Sequence, residues 1–241
     1  MPQSSSGHNF KSAEDLLYQE IWAAKLEREE NLSEDGSLRT SAALPLFEQG
    51  IRFLDIGCGE GTLGQQVRHL FDEIHGVDIS GTALDLARTR GITAHRVNLN
   101  TEPLPYEQGF FSAVASLDVI EHVFDPVRLV REIRRVLSPG GYAIVSTPNI
   151  RKIQRILTLI RGHFPRTSYD PVGFDGGHLH YFTSHDLANL LTHQGFTIET
   201  VDGICGDRQT WKYRLAVRIL GRGFEKEFLS SAILIKARKK P

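Results

Sequence analysis

Short apolar runs alternate with amphipathic stretches along most of the chain. Ile51–Ile56 is brief and largely apolar, as a parallel strand covered on both faces should be. Further strands are expected at 74–77, 93–97, 111–117 and 142–146. Between them lie helical patterns: Leu63, Val67 and Leu70 after Gly61, then 83–90 stopping at Gly91, then 127–137. Ser138-Pro139-Gly140-Gly141 reads as the turn that closes the last of these. Upstream, residues 1–11 read as disordered. Ser12 with Asp15 opens a capping pattern, and Leu16, Leu17, Ile21 and Leu26 continue a helix to about Glu30. A polar break at Ser33–Gly36 leads to a short helix ending near Phe47. Downstream, Ile153, Ile156, Leu157 and Ile160 form one helical stripe within 151–162. A Gly/Pro/Tyr-rich loop runs to about Phe182, a helix spans 184–194, and strands at 196–201 and 230–237 flank a second basic helix. Alternation of this kind implies an α/β fold, a doubly wound and mostly parallel sheet with helices on both faces.

The 241 residues suit one large domain. We divide them into a tail and helical cap over 1–50 and a main domain over 51–241. Within it, about 150–183 exceeds what a crossover needs and reads as a lid, joined by the helix carrying Tyr18 and Trp22. No apolar run reaches the roughly 18 residues of a membrane span. The opening MPQSSSGHNFK lacks the apolar core of a secretory signal. Two cysteines, Cys58 and Cys205, suggest no disulfide framework, so a cytoplasmic setting is expected. A formal charge of −1 argues against a general nucleic-acid binder, and no DNA partner is expected. Two windows nevertheless carry only positive charge. Arg151, Lys152, Arg155, Arg161 and Arg166 form the first, and Arg208, Lys212, Arg214, Arg218 and Arg222 the second. Either these are solvated helix faces whose long stems cover apolar surface, or they form a patch facing a negative partner.

Candidate chemistry begins after the first strand. In Asp55-Ile56-Gly57-Cys58-Gly59-Glu60-Gly61 the glycines let backbone approach a ligand closely, at the strand end where open α/β sheets bind. Asp78 ends the second strand about 20 residues later, where a carboxylate can accept from both ribose hydroxyls. That spacing is shared with dinucleotide enzymes, so these residues alone leave NAD open. A tight strand-to-helix turn and a helix-capping aspartate are the plain structural alternatives. Gly61 follows Gly59 by two residues, where the dinucleotide pattern has three.

The motif D-I-G-C-G-E-G resembles the first motif of class I S-adenosylmethionine-dependent methyltransferases. The likeness continues through Val77-Asp78-Ile79-Ser80, Pro103-Leu104-Pro105-Tyr106, Ser116-Leu117-Asp118-Val119-Ile120-Glu121-His122 and Leu137-Ser138-Pro139-Gly140-Gly141. The resemblance implies a Rossmann-like seven-stranded sheet with its last strand antiparallel. It also implies S-adenosylmethionine as methyl donor and S-adenosylhomocysteine as product. By it, Asp55 and the Gly57, Cys58, Gly59 and Gly61 loop hold the methionine part. Asp78 takes the ribose, Ile79 lies against adenine, and Ser116 and Leu117 offer carbonyls to the ammonium. Where the family often has an acid near the adenine amino group, this chain has Asn98, followed by Leu99.

On the acceptor side, Gly176-Gly177-His178-Leu179-His180-Tyr181-Phe182-Thr183 resembles a segment of ubiquinone-pathway and glycan O-methyltransferases. His178 and His180 are the candidate bases, and if the stretch is extended they face one side. Either could instead bond the loop's own backbone. Asp118, Glu121 and His122 fall at i, i+3 and i+4, so a helical turn would gather them. A similar run in the ubiquinone-pathway enzymes is associated with a divalent cation; structural packing is the reading favoured here, and no metal is assigned. The expected activity is methyl transfer to a hydroxyl or amine of a small, anionic acceptor such as a sugar, glycan precursor or phenolic metabolite. The alternatives are a cofactor-binding accessory acting through a partner enzyme, a structured-RNA methyltransferase, and a peripheral membrane protein lying on anionic lipid through 151–160.

Overall fold

The computed structural model describes residues 34–168, 174–206 and 210–241. The helix expected over Ser12–Glu30, with Tyr18 and Trp22, and Arg208 of the second basic window lie outside the described residues. The first helix, α1 (Glu34–Ala43), begins inside the stretch read as a polar break and continues as a 3-10 turn over Leu44–Leu46.

Seven strands follow. They are β1 (Gly50–Ile56), β2 (Phe71–Asp78), β3 (Thr93–Arg96), β4 (Phe111–Leu117), β5 (Leu137–Pro148), β6 (Phe196–Ile204) and β7 (Ala232–Lys239). They make one sheet in the order β3-β2-β1-β4-β5-β7-β6. The first five pair in parallel, and β7 runs antiparallel between β5 and β6. Helices α2 (Thr62–Val67), α3 (Gly81–Thr89) and α4 (Pro126–Val136) lie between the parallel strands, as right-handed crossovers require. Beyond β5 come α5 (Ile153–Ile160), α6 (Ser184–His193) and α7 (Trp211–Phe224).

Neighbouring residues of β1 show how the core is split. Phe53 points into one apolar layer with Val67, Phe71, Leu84 and Ile144. Leu54 and Ile56 point into the other with Val114, Val130, Ile133 and Leu187. A period of two on a strand covered on both faces gives this result. Chain order reverses between β1, whose successors run outward to β3, and β4, which starts the other half. Ligands of open α/β sheets bind at the strand carboxyl ends beside such a reversal.

Three local features depart from the sequence reading. Ser138–Gly141 belongs to β5 and accompanies a register irregularity opposite Phe111 and Ala113, not a separate turn. A π-helical turn at Glu225–Leu229 follows α7. The apolar stripe of α5 is only partly covered: Ile153 and Ile156 are half-buried, whereas Leu157 and Ile160 are exposed.

Candidate active site

The glycine loop is built on β2 as much as on β1. Amides of Gly57 and Cys58 both donate to the Val77 carbonyl, at 2.8 and 3.1 Å, so the loop folds back over the neighbouring strand. Gly57 and Gly61 have φ of +72° and +83°. Added Cβ atoms would lie 2.5 Å from Val119 Cγ2 and 2.3 Å from Ile92 Cδ1, so both positions need glycine for conformation and for space. Cys58 is buried, its thiol pressed toward Gly76, and burial pushes its ionisation far up. It is a packing residue here, not a nucleophile.

Asp78 ties this loop down. One carboxylate oxygen accepts from the Gly59 amide at 3.0 Å and the other from the Ser80 amide at 2.8 Å. Ser80, not Asp78, caps α3, its hydroxyl accepting from the Ala83 amide. Asp78 therefore joins the ends of β1 and β2, with Ile79 half-buried beyond it. Asp55 sits opposite Gly76 in the β1–β2 register and is only 4% exposed. Burial, with the charge of Asp78, pushes its carboxyl up to about 8. Asn98 is buried, and its amide oxygen accepts from the Asn100 amide at 2.9 Å, so the group expected to meet adenine also braces its own turn. The Leu99 carbonyl accepts from Arg128. On β4, Ser116 is fully buried between Ile56 and Val145, and Leu117 follows at the strand's end. Asp55, the loop glycines, Asp78, Ile79, Ser116 and Leu117 sit at the carboxyl ends of β1, β2 and β4, around the reversal point, and Asn98 and Leu99 follow the carboxyl end of β3.

The acceptor-side residues converge too, though not as the spacing suggested. Asp118 has a left-handed backbone, φ 54°, an uncommon and strained state for a residue with a side chain. Its carboxylate accepts from Ser146 Oγ at 2.7 Å and is ion-paired with Arg39 of α1. It is thus turned away from the grouping expected with Glu121 and His122. His178 takes its place: donor atoms of Glu121, His122 and His178 lie within 4.8 Å of one another. Glu121 is completely buried, and neither carboxyl oxygen has a hydrogen-bond partner among the described residues. Burial, and then the charge of Asp118, hold its ionisation well above the usual carboxylate range.

Hydrogen bonds fix the state of His178. Asp175, fully buried and also left-handed at φ 53°, accepts from the Thr167 amide, the Ser168 amide, the Thr167 hydroxyl and the Tyr181 hydroxyl. These bonds, against its own burial, hold its pKa below the ordinary value, so it is ionised and can only accept. The single Thr167 hydroxyl proton is therefore committed to Asp175 at 2.7 Å. His178 Nδ1, 2.6 Å from the same oxygen, must donate to it. That leaves Nε2 with its lone pair, 3.9 Å from Glu121 Oε1. Burial lowers the His178 pKa, so the neutral form prevails at pH 7. His122 stacks edge-on at 4.6 Å, its Nδ1 near the Gly177 carbonyl.

His180 does not share this position. Amides of Leu179 and His180 both bond the Glu121 carbonyl, which an extended segment could not do because successive amides there point to opposite sides. The two histidines consequently do not face one way, and the His180 ring lies 6.3 Å from Phe182. The expectation of paired imidazoles fails on that turn. Thr167, Asp175 and Arg39 were missed by sequence reasoning. Only the Asp-Gly-Gly turn signal before His178 hinted at one of them.

A glycine loop after β1 and an acid after β2, at the reversal point of a seven-stranded sheet whose β7 is antiparallel, are the arrangement of the S-adenosylmethionine-dependent methyltransferase class. The methyltransferase domain model matches residues 27–201, and the chain belongs to that family. The ubiquinone biosynthesis O-methyltransferase of Cereibacter sphaeroides is 28% identical over 189 residues, covering 75% of this chain and 73% of its own. A crystal structure of an S-adenosylmethionine-dependent methyltransferase from Mesorhizobium loti is 25% identical, with a TM-score of 0.61 over 85% of this chain and 99% of that one. In fold, the chain also resembles phosphoethanolamine N-methyltransferase 2 of Haemonchus contortus, solved with S-adenosyl-L-methionine. That likeness has 18% identity and a TM-score of 0.61, over 92% of this chain and 57% of that one. The protein is an S-adenosylmethionine-dependent methyltransferase.

Proposed function

We propose that the protein transfers the methyl group to a hydroxyl of a small, anionic acceptor, with His178 as general base. The observation that carries this reading is the Asp175–Thr167–His178 relay, which leaves a neutral Nε2 lone pair inside the site. The sulfonium is an excellent leaving group, so holding the acceptor in line supplies much of the rate. A hydroxyl still gains from proton removal as it attacks, and an imidazole is suited to take that proton near neutrality. The O-methyltransferase relative supports oxygen over nitrogen as acceptor atom. We assign the cofactor's amino-acid end to Asp55, Gly57, Gly59 and Gly61 with the Ser116 and Leu117 carbonyls. Its nucleoside end goes to Asp78, Ile79, Asn98 and Leu99. Residues 150–183 supply Thr167, Asp175 and His178 and act as the acceptor-side lid.

The positive group facing the acceptor is Arg39, and the first basic window is not. Arg155 donates to the carbonyls of Asn149, Ser231, Thr167 and Arg166, and so staples the lid to the residues just after β5 and just before β7. Arg151 pairs with Glu227, and Arg166 lies over Phe174. Those three side chains are engaged within the chain, so the first window offers a structured-RNA acceptor less free charge than its composition suggests. Arg39, by contrast, pairs with Asp118 at the end of β4, and its charge is felt by both Glu121 and His178. Two thiols without a disulfide fit a cytoplasmic enzyme, and no helix among the described residues is long and apolar enough to cross a membrane.

Formation of S-adenosylhomocysteine with a panel of phenolic, sugar and amine acceptors tests the reading. Turnover of anionic phenols or sugars, lost in His178→Ala but kept in His180→Ala, is expected. Cofactor binding with no product from any acceptor would point to the accessory role instead. Equal activity of the His178 variant would remove the base.

A further inference from the structure

A second charged site lies at the far edge of the sheet. There a cavity of about 440 Å³ opens between the C-terminal ends of α4 and α6, the start of β6 and the end of β7. Its wall contains Arg131, Arg134, Arg135, His193 and Lys239, and no carboxylate; the other lining residues are glutamines and Gly195. The strand carboxyl ends, where the methyl donor's residues gather, are on the opposite side.

The cations here are not equally satisfied. Arg135 is neutralised by Glu132 and also bonds the carbonyls of Leu104 and Tyr106. Arg131 donates to the uncharged side chain of Gln194 at 3.1 Å. Among the described residues the Lys239 ammonium donates to the Leu137 carbonyl, and its own burial together with Arg134 pushes its pKa down. Arg134 is the most exposed to this imbalance. Its Nε is buried with no acceptor among the described residues. It is seated against Gly195, φ +86°, where an added Cβ would come within 2.7 Å of that nitrogen.

Two helices end at this cavity, and their carbonyl ends supply negative charge. Each such end is equivalent to roughly half an elementary charge, about −1 in all. Arg131, Arg134 and Lys239 bring three full positive charges. A surplus of roughly two positive charges remains, with at least one buried donor unused. Helix-end complementation alone therefore explains a third of the cluster. A phosphate group carries about −1.5 to −2 at neutral pH and three strong acceptor oxygens, which matches both the charge and the donors.

We propose that this cavity is a second binding site, one for a phosphate group, either free or carried as a phosphomonoester on a small molecule. Arg134 and Lys239 grip the oxygens, Arg131 closes the rim, and Gly195 is required so that Arg134 can reach its place. The site is independent of methyl transfer and stands whatever the acceptor proves to be.

Thermal unfolding and calorimetry on the full chain test it, with sodium phosphate and glycerol phosphate as probes against chloride at matched ionic strength. Wild-type protein should gain melting temperature with phosphate beyond the chloride control and give a saturable heat. Arg134→Gln and Lys239→Gln should each weaken that binding tenfold or more, while Arg218→Gln, outside the cavity, should not. In phosphate-free buffer Arg134→Gln should melt no lower than wild type, because it relieves like-charge repulsion; unchanged heat on cofactor binding shows the variant folded. Tighter binding of glycerol phosphate than of phosphate assigns an organic ligand, and the reverse order assigns the free anion. No phosphate-specific stabilisation of the wild type, or undiminished binding by both cavity variants, overturns the proposal.

Discussion

Asp55→Asn should separate the stability of the protein from its grip on the methyl donor. The carboxyl is buried beside Asp78, and together these raise it from an ordinary 3.8 to about 8. At about 1.4 kcal/mol per pH unit, holding it ionised in the empty site costs on the order of 6 kcal/mol. Below pH 3.8 both folded and unfolded chains carry the proton. Between 3.8 and about 8 the folded chain keeps a proton that the unfolded chain has lost. Stability contributed by this group is thus fully present at low pH and is lost as pH rises, levelling off above about 8. From pH 6 to 8 the loss integrates to about 2 kcal/mol. Asparagine keeps the shape and removes the titration. Urea unfolding at both pH values should show wild type losing about 2 kcal/mol more than the variant over this interval. Glu121, also raised, contributes equally to both proteins, so the difference isolates Asp55. A cofactor ammonium paired with the carboxylate reverses the balance, so binding should expel close to one proton at pH 7. Wild-type affinity should then rise roughly tenfold from pH 6 to 7, and the variant's affinity should stay flat and weaker. Calorimetry in two buffers of different ionisation heat measures the proton. Parallel pH profiles for the two proteins would refute the buried neutral carboxyl.

Other consequences follow from the acceptor side. Thr167→Val breaks the relay and should lower kcat roughly tenfold to a hundredfold with the cofactor KM unchanged; Thr167→Ser should restore it, and no rescue by serine would mean the threonine acts only in packing. Because burial lowers the His178 pKa, the imidazole is neutral above it, and the acid limb of kcat should lie below pH 6.5; a limb above 6.5 contradicts this. Glu121→Gln keeps the shape of a carboxyl whose ionisation burial already disfavours and should leave turnover within a few fold, as should dialysis against EDTA. Loss in both, restored by a divalent cation, would make the Glu121, His122 and His178 cluster a metal site. Arg39→Gln should raise KM tenfold or more for anionic acceptors and leave neutral ones unaffected, as paired kinetics on a phenol and its carboxylated analogue would show.

Periodicity made the sheet legible because buried parallel strands are short apolar runs bounded by glycine and aspartate. The loop proposed to hold the cofactor was equally legible as geometry, since Gly57, Gly61 and Asp78 lie within a few residues of strand ends and their spacing survives folding. The acceptor side was not. Asp118 looked like the third member of a helical trio, but its left-handed backbone turns it toward Arg39 and Ser146. Thr167 reaches His178 across eleven residues of loop, and no periodic signal encodes such a contact. Arg155 looked like a ligand-facing charge for the same reason: its partners are backbone carbonyls brought near by folding, which composition cannot reveal.

The two left-handed aspartates suggest how the site holds its geometry. Each such backbone costs about 1–2 kcal/mol relative to a relaxed conformation. Asp175 offsets this with four donors on one carboxylate, two to each oxygen, and one of them is the Thr167 hydroxyl whose oxygen orients His178. Asp118 is held by Ser146 of β5 and by Arg39 of α1, so an ion pair fastens α1 to the end of β4. An anionic acceptor that draws Arg39 to itself must leave Asp118 with one partner fewer and a strained backbone. On the proposed function, acceptor binding and the seating of α1 are therefore opposed through the Arg39 guanidinium. Hydrogen exchange at the α1 amides should accelerate when an anionic acceptor binds and stay unchanged with a neutral one. Equal protection with both would show that Arg39 is only a fastener, and the positive charge for the acceptor would have to come from elsewhere in the lid.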